Sequence, residues 1–167
     1  VTYINREITA QDLVIAVSAV DAAVSSGPFS LSVRVTPAPA NAACSMPLPL
    51  VNGTMLSRVP YLQALSRDIG GCRTSAMGTM LHYSAQVPPG RRLTVTATAT
   101  GAARAAVRIF DACAPAACLA SSDDVAASGT SAAARFLNDS GAMRNVLVGV
   151  LNAEPLTASV GEIWVRA

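Results

Sequence analysis

Few side chains in this chain could do chemistry, and their spacing narrows what that chemistry is. His82 is the single histidine. A Ser-His-acid nucleophile would have to use it, yet no Gly-x-Ser-x-Gly elbow accompanies it. Leu81, Tyr83, Ala85 and Val87 alternate with His82, Ser84 and Gln86, so the imidazole is expected on the solvent face of a strand. All twelve basic residues are Arg, and without Lys a Schiff base, a P-loop and a Ser-Lys pair are excluded. Asp123 and Asp124 are adjacent, so their side chains diverge, whereas a glycosidase pair must face one bond at fixed separation. With Asp111 or Asp139 they could offer oxygens to Ca²⁺. EF-hand and repeat-type calcium patterns are absent, and Asp beside Ser in a loop more commonly bonds its own backbone. The chain therefore reads as non-enzymatic, with no catalytic residue and no cofactor beyond that calcium alternative. Trp164, on the opposite parity to Ile163 and Val165, and Tyr61 are the candidate platforms for a glycan or partner.

The four cysteines are Cys44, Cys72, Cys113 and Cys118. None forms a C-x-x-C pair, and the spacing suits no Cys/His zinc site. Four cysteines allow three connectivities. The short loop Ala114-Pro115-Ala116-Ala117 favours Cys113 with Cys118, which leaves Cys44 with Cys72. An even count in a Lys-free, Thr- and Ser-rich chain points to an oxidising compartment. No signal peptide is visible, and no apolar stretch reaches membrane-spanning length.

The elements that must position these residues are strands. Leu93, Val95, Ala97 and Ala99 alternate with Thr94, Thr96, Thr98 and Thr100, giving one buried and one wet face. Phe29, Leu31, Val33 and Val35 alternate with Ser30, Ser32 and Arg34. Pro88-Pro89-Gly90 separates the Leu81–Val87 run from the Thr-rich run, and the two are expected to pair antiparallel around a short turn. Leu13 to Val17 and Val146 to Leu151 are continuously apolar, as for strands covered on both faces. Val107 to Phe110 and Ile163 to Val165 add two more, and helix signals are thin. The expectation is an all-β chain built as a sandwich. A length of 167 residues suits about one domain. A net charge of +2 without clustering leaves no footprint for nucleic acid.

A pattern recurs 133 positions apart. Thr2-Tyr3-Ile4-Asn5 is similar to Arg135-Phe136-Leu137-Asn138, and Asp12 to Val17 to Asn145 to Val150. After one inserted residue, Gly27 to Val33 matches Gly161 to Ala167. Residues 1–35 then read as the last strands of a preceding repeat, or as a segment that pairs with a neighbouring copy. Residues 36–43, rich in Pro and Ala, read as a linker, and 44–167 as a complete module. The alternative is one large sandwich with pseudo-symmetric halves.

Tyr83-Ser84-Ala85-Gln86-Val87-Pro88-Pro89-Gly90-Arg91-Arg92-Leu93-Thr94-Val95 resembles the hairpin of bacterial pre-peptidase C-terminal domains. Val107 to Phe110 resembles the next strand of that family. Cys113 and Cys118 followed by Ser122-Asp123-Asp124 resemble the disulfide and acidic turn of its Cys-containing secreted versions. Val146 to Val150 and Gly161 to Val165 resemble the closing strands. The Asp-Leu-Tyr usual in the strand after the hairpin is replaced here by Ala-Ala-Val. The resemblance covers residues 44–167 and implies a jelly-roll-like antiparallel β-sandwich, non-catalytic and attached to secreted or surface proteins. The function expected is a structural or adhesive repeat of a secreted or cell-surface bacterial protein, assembling head-to-tail. Its partners would be copies of the module or other domains of a larger chain. The alternative is a carbohydrate- or matrix-binding accessory domain of a secreted hydrolase.

Overall fold

The computed structural model describes residues 10–18, 28–35, 37–53, 55–56, 66–67, 72, 79–100, 104–113, 116–122, 130–152 and 163–166. The chain divides into two compact units, Val1–Pro37 and Ala38–Ala167. In the first unit the described residues 10–18 and 28–35 form neither strand nor helix. Leu13, Ile15 and Val17 are about half exposed and Val14 is 97% exposed, so the doubly covered strand expected at Leu13–Val17 is not formed. Phe29, Leu31, Val33 and Val35 are likewise 55–91% exposed. A strand exists only through its ladder, and these segments find no partner strand among the described residues.

The second unit is all-β. Its first sheet contains β1 (Leu48–Pro49), β3 (Ser66–Arg67), β4 (Thr79–Val87), β6 (Ala105–Phe110), β7 (Cys118–Ser121) and β9 (Arg144–Asn152). The order is β1-β4-β9-β6-β7, with β3 also on β4. The second sheet contains β2 (Met55–Leu56), β5 (Arg92–Ala99), β8 (Ser131–Leu137) and β10 (Ile163–Arg166), in the order β2-β10-β5-β8. β1 lies parallel to β4 and every other pair is antiparallel. Pro49, which has no N–H for a ladder, sits in an edge strand.

One core draws on both sheets. Leu81, Tyr83, Val107, Val148 and Val150 meet Val95, Ala97, Ala99, Ala132 and Ala134. The Thr-alternating strand behaves as expected, with Val95, Ala97 and Ala99 buried and Thr94 exposed. Val146–Leu151 is buried throughout because β9 lies between β4 and β6 and both of its faces are covered.

The expected β4–β5 hairpin is not formed: β4 pairs with β9, and β5 pairs with β8 and β10 in the other sheet. Between them Pro88–Arg91 makes a tight turn, closed by Arg91 N–H on the Pro88 carbonyl at 3.1 Å. Gly90 has φ +65°, the left-handed conformation that a type II turn needs at its third position. The exit of this turn is tied to Asn138 rather than back to β4. Gly90 N–H donates to the Asn138 carbonyl (2.7 Å) and Asn138 N–H to the Arg91 carbonyl (2.9 Å). The β5–β8 ladder therefore starts at the corner itself.

A second cluster fills the outer face of the first sheet: Met80, Ala106, Phe110, Leu147 and Leu151, with Cys44, Cys72, Cys113 and Ala116 packed over it. Part of the segment expected to be a linker covers the neighbouring stretch of β4. Ala40–Ala42 forms one 3-10 turn, and Asn41 and Ala42 are buried.

Candidate functional site

All four cysteines are disulfide-bonded, but not in the pairs expected. The bridges are Cys44–Cys113 and Cys72–Cys118, with Cα separations of 5.7 and 5.2 Å. Spacing favoured Cys113 with Cys118, yet that short loop is closed without sulfur. Asp111 N–H donates to the Ala117 carbonyl (3.2 Å), and Asp111 Oδ1 accepts from Ala117 N–H (2.7 Å). Cys44 and Cys72, distant in sequence, are instead brought onto the outer face of the first sheet beside Phe110 and Leu147. Tertiary placement overrides the entropic advantage of the small loop.

His82 is fully buried, in contrast to its expected solvent position. It shares a row with Gly149 and Arg108 across β4, β9 and β6, so all three point to the covered outer face. Its Nδ1 lies 3.4 Å from the Asn41 carbonyl, while Nε2 has no hydrogen-bond partner. Burial holds the imidazole below the usual histidine range, opposed by hydrogen bonds with the Asn41 and Ala42 backbone. Burial also lowers the Arg108 guanidinium from its ordinary value and raises the Tyr83 hydroxyl. Gly149 makes room between the rows, because a Cβ there would overlap Met80 Sδ and lie 3.2 Å from Phe110 Cε2.

The candidate calcium ligands divide. Asp111 is exposed, with one carboxylate oxygen engaged by Ala117 N–H. Asp139 is exposed beside the buried Asn138. Asp123 and Asp124 lie outside the described residues, as does Tyr61. Among the described residues no group of three or more His, Cys, Asp or Glu is placed to hold a metal ion. Trp164 is fixed at backbone level by its pairing with Thr98.

Sequence reasoning passed over Asn138 as a structural residue. Its Nδ2 donates to the Val87 carbonyl (2.7 Å) and the Ala142 carbonyl (2.8 Å), and its Oδ1 accepts from Ser140 N–H (3.1 Å) and Ser140 Oγ (2.6 Å). The Asn138-Asp139-Ser140-Gly141 stretch carried the signal, an Asx-turn motif closing a strand.

The corner that Asn138 pins borders a cleft of about 800 Å³. Leu50, Val87 and Leu93 give it apolar walls, and Gln86, Arg91 and Arg92 give it polar ones; none of its lining residues is acidic. The Ala99 N–H donates to the Thr130 carbonyl on the β8 side, as Arg91 receives Asn138. Odd-numbered residues of β5 thus turn their backbone groups to β8, and even-numbered ones to the opposite edge. On that edge the described residues of β10 pair with Thr96–Ala99. The N–H and C=O of Arg92 and Thr94 therefore face the cleft side with no partner strand among the described residues.

No protein-family model, curated protein or solved structure matches the chain. Among the described residues no helix is long and apolar enough to cross a membrane, and together with the two disulfides this is compatible with an extracellular protein.

Proposed function

We propose that this chain is a non-catalytic structural or adhesive β-sandwich repeat of a secreted or cell-surface bacterial protein, working beside copies of itself or other domains of a longer chain. The observation that carries the reading is the exposed apolar surface of the first unit. Val14 at 97%, Phe29 at 72%, Val33 at 61% and Val35 at 91% exposure expose apolar side chains that a soluble monomer normally buries. The described parts of this segment match the pattern of β9 and β10, so it carries the faces of strands without the ladder that would cover them. Each such side chain gains roughly 1.5–3 kcal/mol on full burial, and several together outweigh a modest cost of association. A heterologous contact of this kind propagates unless its geometry closes.

The test is light scattering of the full chain across protein concentration, against a variant carrying Val14→Glu, Phe29→Glu and Val33→Glu. The wild type is expected to associate and the variant to remain monomeric with an unchanged melting temperature. A wild type that stays monomeric at all concentrations overturns the reading.

A further inference from the structure

We propose that the outer face of the second sheet binds an anionic polysaccharide, with Arg92, Arg135 and the Arg166 position as its cationic points around Thr94 and Thr96. The proposal deepens the adhesive reading above and rests on it, giving the module a partner of defined chemistry.

The charges of this sheet all fall on one side. Its four strands contain three charged residues, Arg92, Arg135 and Arg166, and neither Asp nor Glu. On β5 the buried residues are Val95, Ala97 and Ala99, and alternation turns Arg92, Thr94, Thr96 and Thr98 outward. β8 sets Leu137 opposite Arg92 and Arg135 opposite Thr94, while β10 sets Arg166 opposite Thr96 and Trp164 opposite Thr98. Directly opposed residues share a face, so all three arginine positions lie on the outer side. Arg92 and Arg135 are diagonal neighbours, about 7–8 Å apart along the ladder. Both are exposed, as is Thr94. Like charges gathered without a carboxylate between them repel, and an anionic partner removes that cost.

The residues between the charges narrow the chemistry of the partner. Thr94 and Thr96 stand among the arginine positions, each hydroxyl able to donate to and accept from a sugar hydroxyl. Arg takes a carboxylate or sulfate ester bidentately. By register Trp164 ends the Thr row, adding an aromatic residue to the same face. Three cationic positions spread over three strands suit a polymer whose acid groups are spaced by neutral hydroxyl-bearing rings. A nucleic-acid backbone is commonly held by about 6–10 phosphate contacts, more than this face offers.

The experiment is a fluorescence anisotropy titration of the intact chain with three labelled hexasaccharides: a polyuronate, a sulfated one and a neutral one. The two acidic probes are expected to bind with dissociation constants of about 10–500 µM, weakening with added salt, and the neutral one at least about tenfold more weakly. The tighter acidic probe identifies the anion as carboxylate or sulfate ester. Arg92→Ser with Arg135→Ser should weaken binding about tenfold or more with the melting temperature unchanged, since both side chains are exposed. Arg34→Ser with Arg144→Ser, an equal change in net charge away from this face, should leave binding as it is. Three outcomes overturn the proposal. One is that neither acidic probe binds up to about 1 mM. Another is that the Arg34/Arg144 variant loses as much affinity as the Arg92/Arg135 one, which leaves net charge alone. The third is equal or tighter binding of an oligothymidylate of the same charge, which makes the face a phosphate-backbone site. Light scattering of the unliganded chain reports separately on the adhesive reading, so the two failures are distinguishable.

Discussion

The crossed disulfide pairing makes a quantitative demand on double-cysteine variants. Cys44–Cys113 spans 69 residues and Cys72–Cys118 spans 46. In the chain-entropy account these closures stabilise by about 4.4 and 4.0 kcal/mol, against about 3.6 and 2.1 kcal/mol for Cys44–Cys72 and Cys113–Cys118. Because the two loops overlap between Cys72 and Cys113, the second closure adds less than its isolated value. Cys72→Ser with Cys118→Ser removes one bridge and should cost about 3–4 kcal/mol, or roughly 8–14 °C in melting temperature. Cys113→Ser with Cys118→Ser removes one partner from each bridge, leaving Cys44 and Cys72 as thiols. It should be the more damaging pair and should yield two alkylatable cysteines. Under the pairing expected from spacing it would be the milder one, costing about 2 kcal/mol and yielding none. Urea denaturation with thiol counting and non-reducing peptide mapping reads all of this. A Cys44–Cys72 cross-linked peptide in the wild type, or a Cys113/Cys118 variant more stable than the Cys72/Cys118 one, refutes the reasoning.

Further outcomes follow from the buried polar groups. The His82 imidazole titrates below its unfolded value, so the unfolded chain takes up the proton first. Stability should be full above about pH 6.5 and fall by up to about 1.4 kcal/mol per pH unit below it, until the folded value is reached. Measured as wild type minus His82→Leu, with Arg108 the charged group on the same face, a difference that stays flat from neutral to acid pH contradicts this. Gly149→Ala should destabilise by about 1–3 kcal/mol in thermal melts, since Met80 and Phe110 must both shift; an unchanged melting temperature would show slack in that cluster. Asn138→Ala strands the Val87 carbonyl and should cost about 2–4 kcal/mol. Asn138→Asp, which cannot donate to either carbonyl when ionised, should cost at least as much at pH 7, and an Asp variant more stable than Ala argues against the Nδ2 contacts.

Alternation in the sequence reported faces faithfully and partners poorly. Leu93 to Ala99 was legible because Thr on every second position leaves one arrangement open, and Val146 to Leu151 because only a doubly covered strand tolerates such a run. Whether β4 follows β5 into one sheet was not legible. Pro88-Pro89-Gly90 specifies a turn, while the choice of sheet depends on Asn138, nearly 50 residues away. The burial of His82 was within reach. If β9 is covered on both faces, its neighbour β4 has cover on both faces too, and Met80 at the parity of His82 agrees with that. The cysteine pairing was out of reach, because it depends on residues 40–46 and residue 72 lying over the outer face. The repeat at 133 positions locates β8, β9 and β10 correctly in its second copy, but the described parts of its first copy carry no strand. Pattern alone cannot supply a ladder.

The two sheets of the second unit treat their outer faces differently, and the difference explains where the disulfides fall. The outer face of the first sheet is apolar at Met80, Phe110, Leu147 and Leu151, and needs the cover that two disulfides hold in place. β5 in the second sheet carries Thr94, Thr96 and Thr98 on its outer side, where Thr98 Oγ1 lies 2.6 Å from Ser131 Oγ, and that strand needs no such cover. The cross-links therefore fall on the sheet whose outer face is apolar, where Cys44 and Cys72 are tied to Cys113 and Cys118.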